Sequence, residues 1–529
     1  MRTFNKIIFT LFLLFPFTPV LAQQPIKLAA NWHLLDIKRD SVFGAGVEKS
    51  YKALLKGKKA KPVVVAVIDG GVDINHEDLK TVIWNNPKEI AGNHKDDDHN
   101  GYVDDVHGWN FLGSAKGNVQ YDNLEITRLT VAGDQRFKGL DSSTVKKEDL
   151  ADFMLYKASK SEVEKDYAEA KGMVGNLEPF KNVLDTILVN LNNNPNPSLK
   201  DFELYKPRTA NQAQVRAVMM QHLATGQQFK DIYAQQIAGL LAFVKKIADY
   251  HKNKDYNARA IIGDNAELGA FYGNNDVTGP EASHGTHVAG IISAIRDNGL
   301  GIDGITNAAK IMVLRVVPDG DERDKDVANA IRYAVDNGAC IINMSFGKSL
   351  SPDKKLVDDA VKYAMSKDIL IVHAAGNEGK NIDVEPVYPS RNYLDGGRAS
   401  KWIEVGSSNP VNDSNLKSSF SNYGKKNVDV FAPGNQIYST IPGSAYGFKS
   451  GSSMAAPVVT GIAALLKAYY PKLKAEQIKD ILIRSVSPVQ HLVNLQVNNA
   501  PATSKFSDLC ISGGIVNAYQ ALELAAAYR

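Results

Sequence analysis

Short apolar runs alternate with amphipathic stretches over the second half of this chain. Strands that are apolar at nearly every position, separated by helices with one apolar face, are typical of a parallel sheet covered by helices on both sides. The pattern predicts strands at 310–317, 340–346, 369–374, 402–406 and 428–431, and helices at 327–337 and 356–365. An earlier apolar run at 63–68 has the same character. We therefore predict an α/β fold with one parallel sheet between two helical layers.

Three polar residues stand where predicted elements begin or end. Asp69 follows the apolar run at 63–68, His284 lies in the first turn of an apolar helix, and Ser453 precedes another apolar helix. Such a set can form a nucleophilic triad. Taken singly, Asp69 could be a turn residue and the serine a helix cap. His284 with His287 could bind a metal, although no third ligand stands nearby in the sequence.

Together the three segments resemble the signatures of the subtilisin-like serine proteases, the subtilases. The segments are Asp-Gly after a strand, His-Gly-Thr-His-Val-Ala-Gly and Gly-Ser-Ser-Met-Ala-Ala-Pro, in the chain order Asp, His, Ser. Ser452 departs from the family pattern, which usually has Thr there, and Gly70 stands where Ser or Thr is commoner. The resemblance implies a three-layer subtilisin-like fold. It also implies that Ser453 is the nucleophile, His284 the general base and Asp69 the residue that orients it.

The resemblance also covers the loop that stabilises the oxyanion. Asn377 follows the apolar run at 369–374 and matches the family's side-chain donor to the tetrahedral intermediate. Ala375 and Gly376 precede it in the same loop. Alone, an Asn before Glu-Gly would be a turn residue.

Further matches concern substrate binding. Ser345, Phe346 and Gly347 resemble the segment where the family pairs the substrate backbone as an added strand. Phe346 often has Leu as its counterpart, so we expect it either to narrow the cleft or to pack against the insertion described below. Val387 stands where Gly is frequent at the base of the primary specificity pocket, which predicts a shallower pocket.

An acidic loop between Asp69 and His284 suggests a metal site. Its spacing resembles the first part of an EF-hand calcium loop. The candidate ligands are Asp96, Asp98, Asn100, the carbonyl of Tyr102, and Asp104. His107 stands where an EF-hand has its bidentate Glu, so that ligand would have to come from elsewhere. We expect structural Ca²⁺, which is common among subtilases, and the alternative is a solvated acidic turn.

The spacing between Asp69 and His284 is several-fold longer than is usual in the family. We predict a helical insertion at 113–262, as in subtilases of Bacteroidetes-type bacteria, and a peptidase domain split into 63–112 and 263–529. The insertion has apolar residues at helical spacing: Phe229, Ile232, Tyr233, Ile237, Leu240, Leu241, Val244 and Ile247. This stripe is expected to pack the insertion's own helices together, and a lid or exosite beside the cleft is the alternative.

The first residues predict export. Arg2 and Lys6 precede an apolar stretch that ends at Val-Leu-Ala before Gln23, as in a secretory signal peptide over residues 1–22. No Cys follows the stretch, so no lipid anchor is indicated and the mature protein is expected to be secreted or periplasmic. Residues 23–62 are too few for a separate inhibitory propeptide, and we interpret them as an arm that packs on the catalytic domain.

Composition narrows the function further. The formal net charge is only +3, which argues against a nucleic acid or an anionic membrane as partner. The two cysteines, Cys340 and Cys510, are expected to be unpaired, with a disulfide as the alternative that an exported protein allows. The predicted function is an exported serine endopeptidase acting on polypeptides. A catalytically silent relative that binds peptides or partners is the alternative, and the sequence leaves the oligomeric state open.

Overall fold

The structure is a computed structural model that describes residues 29–264, 269, 271–497 and 500–528. The chain divides into two compact units, one formed by Leu28–Glu125 with Asn257–Arg529 and one formed by Ile126–Tyr256. We call them the main unit and the helical unit. The predicted signal peptide lies outside the described residues.

The main unit is built on a nine-stranded sheet with the order β12-β15-β9-β8-β7-β6-β1-β5-β2. Neighbouring strands are parallel except β12 and β15. Three two-stranded sheets, β3-β4, β10-β11 and β13-β14, complete the strands. The strands are β1 Val63–Asp69, β2 Gly108–Asn110, β3 Gly113–Ser114, β4 Gly117–Asn118, β5 Ala309–Arg315, β6 Ile341–Met344, β7 Leu370–Ala374, β8 Trp402–Ser408, β9 Val430–Pro433, β10 Ile437–Ile441, β11 Ala445–Lys449, β12 Ser487–Pro488, β13 Leu492–Val497, β14 Ala500–Lys505 and β15 Gly514–Ile515.

Helices cover both faces of this sheet, which confirms the predicted three-layer α/β fold. Side chains alternate along β1, so Val65 and Val67 join one apolar core while Ala66 and Ile68 join the other. Both β1 faces are therefore buried, and this explains why β1 is apolar at every position before Asp69. The α-helices of this unit are Ile37–Asp40, Val47–Ser50, Ala258–Ile262, Ser283–Ser293, Asp324–Asp336, Lys354–Ser366, Ser452–Tyr469, Ala475–Arg484 and Ala518–Ala525; 3₁₀ turns lie at Trp32–Leu34 and Phe506–Asp508, and a π-helical turn at Tyr51–Leu55.

The helix Ser452–Tyr469 is the most deeply buried long helix of the main unit. It is long and apolar enough to cross a membrane, but 83% of it is buried inside the protein. Its composition is therefore that of a core helix. It packs on the sheet and carries Ser453 in its first turn.

Residues 29–62 are part of the main unit and pack on its core. Trp32 and Leu34 are fully buried in the core, and the indole N–H of Trp32 donates to the Gln436 carbonyl at 3.1 Å. Cys340 and Cys510 are both free, as predicted.

The helical unit is formed mainly by one long helix and the shorter helices packed on it. Phe229, Ile232 and Ile237 of the predicted stripe are buried against the long helix, so the stripe packs the unit's own helices together, as predicted. Its elements are Glu125–Arg136, Leu150–Asn190, Leu199–Leu204, Ala210–Ala224, Phe229–Asp231 and Leu240–Lys246, with a 3₁₀ turn at Lys147–Asp149 and π-helical turns at Ile232–Gly239 and Ile247–His251.

The helical unit is shorter than the predicted insertion of 113–262 at both ends. Gly113–Ser114 and Gly117–Asn118 form a small β-ladder that belongs to the main unit. At the other end, the buried Arg259 binds Asp326 in the main unit and fixes the helix Ala258–Ile262 there. The two ends of the helical unit lie close together, because the Thr127 hydroxyl donates to the His251 carbonyl at 2.7 Å.

Candidate active site

Asp69 is placed by the central strand β1, which pairs with β5 on one side and β6 on the other. Its side chain is buried, and Oδ1 lies 2.8 Å from Nδ1 of His284. The backbone N–H of Gly70 donates to the same oxygen at 2.7 Å. Asp69 therefore binds Nδ1 of His284 and leaves Nε2 free to accept a proton.

His284 lies in the first turn of the helix Ser283–Ser293, and its side chain remains 42% exposed. A Cβ on Gly285 would lie 2.2 Å from the Gly71 carbonyl oxygen, so only glycine lets this helix approach the Asp69 turn so closely. Partial burial of the ring lowers the pKa of His284, but the charge and hydrogen bond of Asp69 outweigh this effect and raise the net pKa above its usual value. This arrangement stabilises the imidazolium form that a general base becomes.

Ser453 stands in the first turn of the helix Ser452–Tyr469, where unpaired N–H groups and the helix dipole favour negative charge. Its hydroxyl donates to the Ser345 carbonyl at 2.8 Å. Within the described residues no hydrogen bond joins Ser453 to His284. The Ser453 hydroxyl must therefore leave the Ser345 carbonyl before His284 can accept its proton.

Ser345 contacts Ser453 a second time. Its own hydroxyl donates to the Ser453 carbonyl at 3.0 Å and accepts from the Asn343 amide at 2.9 Å. The Asn343 side-chain oxygen in turn accepts from the Thr460 hydroxyl at 2.8 Å. Ser345 was predicted only as a substrate-binding residue. Asn343 was not predicted, because a polar residue within a buried strand carries no sequence motif.

Asn377 is oriented by Ser452. Its side-chain oxygen accepts from the Ser452 backbone N–H at 2.8 Å and from the Ser452 hydroxyl at 3.0 Å. The amide nitrogen of Asn377 is thereby left as a donor, and it has no acceptor in the described part of the chain. A Cβ placed on Gly451 would lie 3.6 Å from both this nitrogen and the backbone nitrogen of Ser453. Two donors thus flank one position beside Ser453, as an oxyanion requires.

The loop before Asn377 has a tightly held backbone. Gly376 adopts a φ of +100°, and a Cβ there would lie 2.4 Å from Nδ2 of Asn422. Asn422 donates from this nitrogen to the Ala375 carbonyl at 2.8 Å, and its backbone N–H donates to the Gly376 carbonyl at 3.1 Å. Asn422 is a second residue that sequence reasoning missed, since only the folded chain brings it to this loop.

The substrate-binding segment lies beside Val387. A Cβ on Gly347 would lie 2.8 Å from a methyl carbon of Val387, so this close approach requires glycine. Phe346 packs its ring edge-on against His373, with ring centroids 6.4 Å apart. In the described chain the backbone N–H and C=O groups of Phe346 and Gly347 have no partner and are free to pair with another strand. A separate small cavity of about 20 Å³ lies beside Val387.

The acidic loop brings together part of the predicted metal set. Carboxylate oxygens of Asp96, Asp98 and Glu89 lie within 4.8 Å of one another. Sequence reasoning missed Glu89 because it precedes the EF-hand-like pattern. Burial raises the pKa of Glu89, and the charges of Asp105 and Asp98 raise it further, so a cation at this position would relieve charge repulsion.

Hydrogen bonds within the protein engage all the predicted side-chain ligands: Asp96 accepts from the N–H groups of Asn100 and Gly101, and Asp98 accepts from the N–H of Asn100. Asp104 accepts the backbone N–H groups of Gly92 and His94, each at 2.9 Å. The Asn100 side-chain oxygen accepts from the Tyr102 N–H at 2.8 Å, and the Tyr102 ring is buried among aromatic neighbours. These contacts shape the loop around Asp96 and Asp98.

His287, the partner in the alternative metal interpretation, is a buried structural residue. Its Nε2 lies 3.0 Å from the Ile437 carbonyl and 3.1 Å from the Gly447 carbonyl, so this nitrogen is a donor and cannot bind a metal. Burial lowers the pKa of His287 to about 3. It therefore stays neutral and ties the β10-β11 hairpin to the catalytic helix.

Comparison with known proteins agrees with this geometry. The family model described as "Subtilase family" matches residues 60–505. Thermitase from Thermoactinomyces vulgaris is 42% identical over 195 residues, which are 36% of this chain and 64% of thermitase. A thermophilic serine proteinase from Bacillus sp. (strain AK1) is 41% identical over 185 residues, 35% of this chain and 42% of the relative. This chain therefore spans less than two thirds of either relative's length.

A solved structure of a protease from Pseudoalteromonas arctica is 28% identical, with coverage of 48% of this chain and 78% of that chain and a TM-score of 0.39.

Proposed function

This chain belongs to the subtilase family, and from that premise we propose that it is an exported serine endopeptidase that forms an acyl-enzyme on Ser453. The observation that carries the proposal is the 2.8 Å hydrogen bond between Asp69 and His284, in a site that also holds Ser453 and the Asn377 donor. A fluorophosphonate probe tests it directly. It should label the folded protein, and mass analysis of the digest should locate the label on Ser453.

Acylation would proceed in two steps. The Ser453 oxygen attacks the scissile carbonyl carbon while its proton passes to Nε2 of His284, the nitrogen that Asp69 leaves free. The carbonyl oxygen becomes an oxyanion between the Ser453 backbone N–H and the Asn377 amide. The carbon–nitrogen bond then breaks, and His284 returns its proton to the leaving amine.

Deacylation repeats the sequence with water. His284 removes a proton from the water as its oxygen attacks the acyl carbon, and the proton returns to the Ser453 oxygen when the ester bond breaks. The products are a carboxylic acid, an amine and the restored serine.

Polypeptides are the proposed substrates. An extended chain would pair with the free backbone groups of Phe346 and Gly347 as an added strand. Val387, which lies against Gly347, would narrow the specificity pocket and favour a small side chain before the scissile bond. One methylene group there is worth about 1–3 kcal/mol, so we propose a preference and not a strict rule.

The alternative function is a catalytically silent protein that binds peptides in the same cleft. This alternative predicts no covalent label on Ser453 and no peptide hydrolysis at any pH. The presence of all four groups of the mechanism favours the enzyme.

We expect kcat/KM to rise with pH in a single step that follows the deprotonation of His284. The general base must be neutral to accept a proton. Partial burial lowers the pKa of His284, and Asp69 raises it by more; Lys449 lowers this pKa slightly and Glu281 raises it slightly. The midpoint should therefore lie above the usual value for histidine. The same shift means that protonated His284 adds stability at low pH, and this is lost as pH rises through the folded-state pKa. Hydrolysis of a short peptide measured across pH checks this, and full activity at about pH 5 would contradict it.

We further propose that Asp96 and Asp98, with Glu89, hold Ca²⁺ that stabilises the loop and takes no part in the chemistry. Glu89 would supply the carboxylate that His107 cannot. Calcium takes six to eight oxygens, so carbonyls and water would complete the shell. The alternative is a solvated acidic turn.

Calcium removal should lower the melting temperature while protein that stays folded keeps its activity. A hundredfold excess of Ca²⁺ over its Kd would add about 2.7 kcal/mol to the free energy of unfolding. Melting curves with Ca²⁺ and with EGTA measure the shift, and Asp98→Asn should abolish it. Glu148→Gln, an exposed acid in the helical unit, is the control. Identical curves for the wild-type protein would show an acidic turn only.

A further inference from the structure

The β10-β11 hairpin ends beside the nucleophile. Ile437 pairs with Lys449 at the open end of this ladder, and Ser453 follows four residues later. The Gln436 backbone N–H donates to the Ser450 hydroxyl at 2.8 Å, and the Gly451 N–H donates to the Gly434 carbonyl at 2.9 Å. The end of the hairpin is thus held firmly against the active-site turn.

Lys449 lies on the face of the hairpin that meets the catalytic helix. Residues directly opposite in an antiparallel pair share a face, so Lys449 shares the face of Ile437, which is fully buried. Phe448 lies on the other face and is 58% exposed. His287 binds the carbonyls of both strands from the helix Ser283–Ser293. Lys449 therefore lies on the hairpin face that packs on this helix, which carries His284 in its first turn.

The charge of Lys449 has no counter-ion among the residues that the structure describes. Its side chain is half-buried and makes no hydrogen bond or ion pair with any of them. The positive charge reaches the catalytic helix, where it opposes the rise in the pKa of His284 that Asp69 causes and adds to the fall in the pKa of His287 that burial causes. A carboxylate of the substrate would supply the missing counter-ion.

The position of Lys449 relative to Ser453 indicates which half of the substrate it meets. Gly347 follows β6, and Asn377 and Val387 follow β7, whereas Asp69 ends β1, the next strand of the sheet, and binds His284. Asn377, Gly347 and Val387 would therefore hold the acyl half. His284 stands on the opposite side and delivers its proton to the leaving amine. The residues after the scissile bond must then pass over His284 toward the hairpin.

We propose that Lys449 selects substrates with an acidic side chain within the first two positions after the scissile bond. The inference rests on the proposed peptidase function and adds a substrate class to it. The ammonium group would pair with the carboxylate at the edge of the cleft, where such a pair is partly screened by solvent and salt.

Matched internally quenched peptides test the proposal. Each pair differs only by Asp against Asn at the first or the second position after the cleaved bond. The wild-type enzyme should show a kcat/KM about two- to fivefold higher for the Asp peptide at one of these positions, and the ratio should shrink at high salt. Lys449→Gln should bring the ratio to one, and Lys449→Glu should favour a Lys peptide instead. Lys472→Gln, at an exposed position, is the control that should keep the wild-type ratio.

The outcomes are distinguishable. Equal turnover of Asp and Asn peptides by an active wild-type enzyme would overturn the role of Lys449 and leave the peptidase function intact. An acidic preference that survives in folded Lys449→Gln would also overturn it, since the preference would then come from another residue. Absence of both hydrolysis and fluorophosphonate labelling would refute the peptidase function, and this inference with it. If Lys449→Glu does not fold, Lys449→Gln suffices, because it removes the charge and keeps a polar chain.

Discussion

Replacing Ser453 with alanine should abolish peptide hydrolysis and fluorophosphonate labelling. The expected fall in kcat is about 10⁶-fold, the loss measured for the corresponding change in subtilisin itself. The physical reason is that no other group described near His284 can form the acyl bond. Melting curves should stay close to those of the wild-type protein, because the hydroxyl makes one hydrogen bond, to the Ser345 carbonyl.

The neighbouring serine provides the matched control. Ser452 acts on Asn377 and not on the substrate, so Ser452→Ala should keep the label on Ser453 and lose only part of kcat. Retained activity in Ser453→Ala, or labelling that moves to Ser452, would show that the nucleophile is assigned wrongly.

Replacing Asn377 with alanine should lower kcat by about 10²–10³-fold with little change in KM, a range measured on subtilisin. The amide nitrogen would donate to the oxyanion that exists only in the transition state, so ground-state binding should not depend on it. Asn377→Asp keeps the shape but replaces a donor with a negative charge, and its loss should be larger.

Steady-state kinetics on one short peptide measure kcat and KM separately. A rise in KM at constant kcat in Asn377→Ala would place the side chain in ground-state binding and contradict its role as an oxyanion donor. Labelling of the Asn377→Ala protein should become slower without disappearing, because the nucleophile and base remain.

Much of the fold could be predicted because strands that are buried on both faces are apolar at nearly every position of the sequence. The strand Leu370–Ala374 was predicted at 369–374, and the helix Lys354–Ser366 at 356–365. Local sequence pattern determines the apolar strands of a parallel sheet and the helices with one apolar face, so only their ends shift, by up to three residues in the helix Asp324–Asp336. The helical unit was harder to delimit because Arg259 pairs with Asp326 far along the chain.

The candidate site was predictable where one segment carries its chemistry and unpredictable where distant segments combine. Asp69, His284 and Ser453 stand in recognisable motifs at the ends of regular elements. Glu89, Asn343 and Asn422 stand in none, because their roles depend on carbonyls and carboxylates that only tertiary folding brings near. The hydroxyl of Ser453 also points to the Ser345 carbonyl, a rotamer that no sequence pattern specifies.

The contact between Thr127 and His251 bears on how the chain assembles as it is synthesised. Strand β1 emerges early but cannot pair until β5 appears, since Val63 pairs with Ala309. The helical unit between them is rich in local contacts and can form first. Once the helical unit has formed, the hydrogen bond between Thr127 and His251 holds its two ends together. The loop that must close to pair β1 with β5 is then roughly half as long, which lowers the entropic cost of closing it by about 0.6 kcal/mol. The long insertion is therefore a small burden on the folding of the catalytic sheet.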